Sequence, residues 1–143
     1  LFPIFGNIYS PKRKKEMDPL RWVEKDKLAR ILLRKSHLSA ENLKTLLLYY
    51  WKPDTTFEEL GKRLGIQRPG AWKRWRRGVD AILRSFYTLE LAIYAGVLEP
   101  SVAELLLQDL QDYLSLLREG ESPEKIKDKI ELRMLRMLKE EKF

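Results

Sequence analysis

The densest chemistry in this 143-residue chain lies between Gly61 and Arg84, where eight Lys/Arg stand against a single acid, Asp80. Within that stretch QRPGAWKRWRR sets Gln67, Arg68, Lys73, Arg74, Arg76 and Arg77 around Trp72 and Trp75. A guanidinium offers its donors in a rigid fork, which matches phosphate oxygens and the paired acceptors of a guanine edge. A glutamine amide matches an adenine edge in the same bidentate way. Lysine adds a compact point charge. Such a set is suited to holding a polyanion.

Bond-making chemistry has little to work with elsewhere. The one histidine, His37, stands between Lys35 and Ser39 in an expected interhelix turn and reads as a polar turn residue. Glu41 alone is too little to complete a metal site with it. There is no cysteine, so the chain has neither disulfides nor thiolate ligands. Glu58-Glu59 fall in an opening helical turn, where the helix dipole favours acids, and Glu140-Glu141 are the polar end of the last helix. Gly61-Lys62 lacks the glycine spacing of a phosphate loop. The sequence therefore predicts a non-enzymatic protein, with no catalytic residue, metal or cofactor.

The helix expected to carry the cations starts near Arg68, with Gln67 as its cap and Pro69 in its first turn. At 100° per residue, Ala71, Trp72, Trp75, Val79, Ile82, Leu83 and Phe86 share one side. Lys73, Arg77, Asp80 and Arg84 lie opposite, with Arg74 and Arg76 on the flanks. The tryptophans are thus expected to face a core and the cations to face outward. A short helix precedes it. Thr56 and Glu59 form its capping box, and Leu64-Gly65-Ile66 ends it with a tight exit at Gly65.

The remaining elements are also predicted to be helical, which makes the class all-α: a helix-turn-helix domain with a C-terminal helical hairpin. Residues 1–17 read as an arm, punctuated by Pro3, Gly6 and Pro11 and closed by Lys12, Arg13, Lys14 and Lys15. Asp18-Pro19 opens a helix running to about Lys35, with Leu20, Val23, Leu28, Ile31 and Leu32 on its apolar side. Ser39 caps a second helix, which must stop before Pro53. The helix begun at Arg68 is expected to bend or restart near Ser85 to Thr88 and to continue to Gly96. A domain over 18–97, with its helix-turn-helix at about 56–84, is followed by a hairpin over 98–143. The first hairpin helix reaches Gly120; Ser122-Pro123 caps the second, which runs through about Glu140. Leu106, Leu110, Tyr113 and Leu117 form one stripe, while Leu105, Leu107, Leu114 and Leu116 occupy other sides. Ile126, Ile130, Met134, Met137 and Leu138 supply the partner's apolar face. A helix so apolar must pack on the body, on a second subunit, or on both.

Charge is distributed in blocks. The net charge is +7. Residues 11–35 carry ten Lys/Arg against four Asp/Glu, and residues 85–111 carry four acids and no Lys/Arg. Two basic blocks in an otherwise mixed chain point to a polyanionic partner. With 44% hydrophobic and 34% charged residues the chain has the composition of a soluble globular protein. It has no apolar run long enough to span a bilayer and no secretory signal, so a cytoplasmic location is expected. Scarce Asn and Gln beside many Glu, Lys and Arg lean toward a thermophilic source.

The stretch from Leu38 to Phe86 resembles the C-terminal promoter-reading region of bacterial sigma factors and the phage and plasmid regulators built on the same motif. LSAENLKTLLLYYW, TTFEELGKRLGIQ and GVDAILRSF carry the resemblance. Thr56, Glu59, Leu60, Leu64, Gly65 and Ile66 fall where that pattern puts its cap, its acid, its core residues and its turn; Val79 and Ile82 fall on later core positions. Pro69, Gly70 and Trp72 depart from it, and Arg74 takes a place normally apolar. No promoter-melting region accompanies the match, so the target class does not carry over.

The resemblance implies DNA contacts from Gln67, Arg68, Lys73 and neighbouring outward residues. In a helix-turn-helix the second helix enters the major groove. Gly70 would let the backbone approach DNA closely, and Lys73 and Arg77 would point into the groove. Arg74, Arg76 and Arg84 are better placed for phosphates, and Thr56 with the helix end it caps could hold another. Lys12, Arg13, Lys14 and Lys15 would track the backbone or enter the minor groove. The expected protein is a double-stranded-DNA-binding transcriptional regulator, with a homodimer through its C-terminal helices as one reading of the leucines. The alternatives are a structural or packaging nucleic-acid-binding oligomer, similar to a small terminase subunit or a chromatin protein, and an interaction protein that contacts RNA polymerase or RNA.

Overall fold

Asp18 accepts a hydrogen bond from the Leu20 N–H at 3.2 Å, and Pro19 occupies the first helical position, so the chain enters α1 (Pro19–Lys25) as the sequence predicts. The computed structural model describes residues 18–118, 128–133 and 135. The expected helix to Lys35 is broken at Asp26. That residue is extended (ψ 115°), closes α1 through its own N–H to Trp22 O, and accepts from the Ala29 N–H at 2.8 Å to open α2 (Lys27–Lys35). An aspartate competes with the helix for backbone donors, and here it ends one helix and caps the next. The break resets the helical phase. Val23, Leu28 and Ala29 are buried, whereas Leu20 and Leu32, expected on the apolar side, are exposed.

Ser39 accepts from the Asn42 N–H at 3.0 Å and starts α3 (Ala40–Tyr50), which ends at Trp51, ahead of Pro53. Trp22 and Trp51 meet with ring centroids 5.1 Å apart, joining α1 to the end of α3. Thr56 then caps α4 (Phe57–Leu64) by accepting from the Glu59 N–H at 3.1 Å. Gly65 adopts a left-handed conformation at φ 70°, and its N–H bonds back to Gly61 O and Lys62 O. Only glycine enters that region without steric cost.

α5 (Arg68–Tyr94) is a single helix of 27 residues. The restart expected near Ser85 to Thr88 does not occur, because the helix is continuous through them. Ser85 and Thr88 instead donate their hydroxyls to the carbonyls four residues back, Ala81 O and Arg84 O, which lets both side chains stay inside a helix. Gly96, at φ 73°, closes the run. Leu48 of α3, Leu60 of α4 and Ala71 of α5 are buried together, with Tyr49, Phe57, Leu64, Ile66 and Trp75 packed around them. Further along α5, Gly78 lies against Leu46: a Cβ there would sit 2.9 Å from the leucine's Cδ1.

The chain divides into two compact units, Leu1–Glu90 and Leu91–Phe143, with the boundary inside α5. In the second unit, α6 (Pro100–Arg118) is followed by helical residues at 128–133. Arg133 donates from Nη1 to Asp109 at 2.6 Å and pairs through Nη2 with Asp112, all three side chains being largely buried. Ile130 is fully buried. Asp109 and Asp112 thus share the covered side of α6 with Leu106, Tyr113 and Leu117 of the expected stripe, which are half-buried, while its Leu110 is half exposed. The end of the first hairpin helix at Gly120, the Ser122-Pro123 cap, and Ile126, Met134, Met137 and Leu138 lie outside the described residues. No strand occurs among the described residues, and the fold is all-α.

Candidate nucleic-acid interface

The basic stretch is positioned from behind. α4 and α5 are joined by three residues, Gly65, Ile66 and Gln67. Ile66 N–H returns to Gly61 O at 2.9 Å, and Ala71 N–H bonds to Gln67 O at 3.0 Å, so the turn is tied at both ends. Gly61 makes this closeness possible. A Cβ on it would lie 2.7 Å from the Ile66 carbonyl oxygen. Sequence reasoning saw in Gly61 only a failed phosphate loop; its place five residues before Ile66, in the last turns of α4, was the available signal.

The inner face of α5 is held by an aromatic cluster. Trp75 approaches Phe57 edge-on with ring centroids 5.2 Å apart and lies 5.8 Å from Tyr49. Tyr49 stacks on Phe57 at 4.9 Å. The Trp75 indole N–H donates to Tyr50 Oη at 3.1 Å. Burial raises the Tyr50 phenol above its ordinary pKa, and the Trp75 hydrogen bond only partly offsets this. Trp72 does not join the cluster. It is 45% exposed and has no ring partner among the described residues, which corrects its expected place in the core. Phe86, also expected inward, is likewise exposed, while Ile82 and Leu83 are half-buried. Ala71, Gly78 and Val79 define the buried arc of α5: Trp72 lies just outside it, whereas Phe86 falls within it but two turns past Val79, the last buried residue of the helix.

The cations lie on the other side. Arg68, Lys73, Arg76, Arg77 and Arg84 are all exposed, as are Gln67 at the helix entrance and Gly70 in the first turns. Arg74 differs. Its side chain keeps 30% of its surface, and its Nη1 lies 3.4 Å from Glu41 Oε2 of α3. Glu41 supplies a partner for its charge. Arg76 lies along the helix beside Asp80, with Nε 3.2 Å from Oδ1. Thr56 is exposed at the start of α4, bonded to the Glu59 N–H. Lys62 and Arg63, exposed in the last turn of α4, add two cations that the candidate set omitted. Lys12, Arg13, Lys14 and Lys15 lie outside the described residues.

Gly70 differs from Gly61 in what surrounds it. A Cβ at Gly70 would meet only the Ile66 side chain, at an ordinary 3.6 Å. Packing in this fold does not demand a glycine there.

His37 is exposed in the turn between α2 and α3. The described residues contain no group of three or more His, Cys, Asp or Glu able to hold a metal ion, and no helix among them is long and apolar enough to cross a membrane.

The chemistry on offer is that of a helix with one face buried and the opposite face bearing unburied ammonium and guanidinium groups. No family model, curated protein or solved structure matches the chain.

Proposed function

We infer that this chain binds double-stranded DNA through a helix-turn-helix formed by α4 and α5, with α5 entering the major groove, and that it acts as a transcriptional regulator. The observation that carries the reading is the sorting of α5. Ala71, Gly78 and Val79 are buried on one side while Lys73, Arg77 and Arg84 stand in solvent on the other. A tight turn from a short capped helix, as at Gly65, is what the motif requires to brace such a helix. The similarity of Leu38 to Phe86 to the promoter-reading region of sigma factors supports the same reading. Arg68 and Gln67, at the entrance to α5, are suited to base edges. Arg74, held by Glu41, serves the packing of α5 on α3 more than a phosphate contact.

The reading includes a two-fold pair, because dimers suit DNA half-sites. Leu107, Leu110 and Leu114 follow one another at i, i+3 and i+7 on α6, and each is about half exposed. That spacing is the seam of paired helices.

The test is selection of bound duplexes from a random pool, followed by titration at graded salt. Wild-type protein is expected to enrich a defined sequence and to bind with a steep negative dependence on salt. The double variant Lys73→Ala/Arg77→Ala should bind more weakly and lose about two counterions' worth of salt dependence, with unchanged helical content. Unaltered affinity in that variant would remove α5's outer face from the interface.

A further inference from the structure

Asp80 is the single acid between Gly61 and Arg84, and its side chain keeps 46% of its surface on a stretch of α5 whose other charges are all basic. On a surface that attracts a polyanion, a carboxylate weakens the local field. Helix stability does not explain it, since exposed pairs at this spacing contribute little. The order is also the poorer one: Arg76 precedes Asp80, whereas an acid preceding a base complements the helix dipole.

What the carboxylate does is fix a guanidinium. Arg76 Nε lies 3.2 Å from Asp80 Oδ1 and 3.3 Å from Oδ2. With Nε engaged, Arg76 keeps its terminal edge, where Nη1–H and Nη2–H have no partner among the described residues. Two parallel donors on a planar edge fit O6 and N7 of guanine. A guanidinium already held by a carboxylate loses less freedom on contact than a free one.

We propose that Arg76 and Asp80 act together as a guanine-reading device, Arg76 donating to the base and Asp80 positioning it. This rests on α5 being the helix that enters the major groove. It goes further in moving Arg76 from phosphate clamp to base reader and in giving the one acid of the basic stretch, residues 61–84, a role in specificity. Asp80 lowers overall attraction to DNA and sharpens the choice of sequence.

The experiment uses the full chain and a duplex library with a randomised core, selected in parallel by wild type, Asp80→Ala, Arg76→Ala and Arg76→Lys. Far-UV circular dichroism checks that each variant is folded. Wild type should require a guanine at one position. Both Arg76 variants should lose that requirement, because lysine cannot present the fork. Asp80→Ala should bind unselected duplex more tightly, having shed a negative charge, yet discriminate guanine at that position about twofold less than wild type, the scale of an exposed i,i+4 pair. Replacing that guanine by 7-deazaguanine, which lacks the N7 acceptor, should weaken wild type more than Arg76→Ala. If the Arg76 and Asp80 variants select the wild-type sequence with wild-type stringency, the device is refuted while the major-groove reading stands. Uniform loss of discrimination at every position in Asp80→Ala would also refute it, by making Asp80 merely structural. If wild type shows no salt-dependent duplex binding, both fall together.

Discussion

Trp72 and Trp75 are three positions apart and play opposite parts. Trp75 touches Phe57 and Tyr49 and bonds Tyr50; Trp72 faces solvent beside Arg68 and Arg76, its neighbours four residues either way. Trp75→Ala is expected to cost about 3–5 kcal/mol by removing a packed ring, read as a lowered urea midpoint. Trp72→Ala should stay within about 0.5 kcal/mol, as for other surface changes. Equal losses for the two would contradict the burial described here. The sequence could not separate them, because both fall on the apolar half of a helical wheel and only the width of the covering neighbours decides which is enclosed. The same limit hid Gly61, whose need for hydrogen in place of a side chain arises from the backbone of the turn folding over it.

Helix starts and stops were legible at the scale of elements wherever a side chain does the capping. Asp18, Ser39 and Thr56 each accept from an N–H two or three residues on, and Gly65 takes the left-handed exit. Asp26 was missed because an aspartate inside a periodic run looks like a solvent-facing helical residue until the backbone is seen to turn there. The Arg133 pairing with Asp109 and Asp112 was missed for a related reason: charges on an apolar helix read as its wet side, and their shared partner lies 24 residues away from Asp109. This pairing has a neighbour that titrates. Burial, helped by the Asp109 charge, pushes the Tyr113 phenol up to about 12 from its ordinary 10.0. The folded chain thus holds the Tyr113 proton where the unfolded chain has released it, so stability falls as pH rises from 10 toward 12. Tyr113→Phe should flatten the alkaline part of the stability profile measured by chemical denaturation. An identical profile in the variant would disconnect Tyr113 from it.

For the whole molecule, the all-α class followed from periodicity and caps, and the basic blocks followed from counting. What composition could not supply was which cations are already engaged. Arg74 has Glu41 and Arg76 has Asp80, while Lys73 and Arg77 are exposed without a described ion-pair partner. That distinction needs partners from other helices, or from the next turn, in three dimensions. Self-association belongs to this scale as well. Under the two-fold reading, Leu110→Glu on α6 should leave helical content intact and reduce the sedimentation mass from two chains to one. A wild-type chain that sediments as one chain would end the two-fold reading.

Gly70 leaves a design dilemma. Alanine there has room and a better helical propensity, by roughly 0.5–1 kcal/mol, so Gly70→Ala should raise the melting temperature. If close backbone approach to a ligand is why glycine occupies the site, the same methyl group will weaken binding. An engineer selecting only for heat resistance would then be steered toward a sturdier protein with a blunted grip, and the two traits would have to be screened side by side.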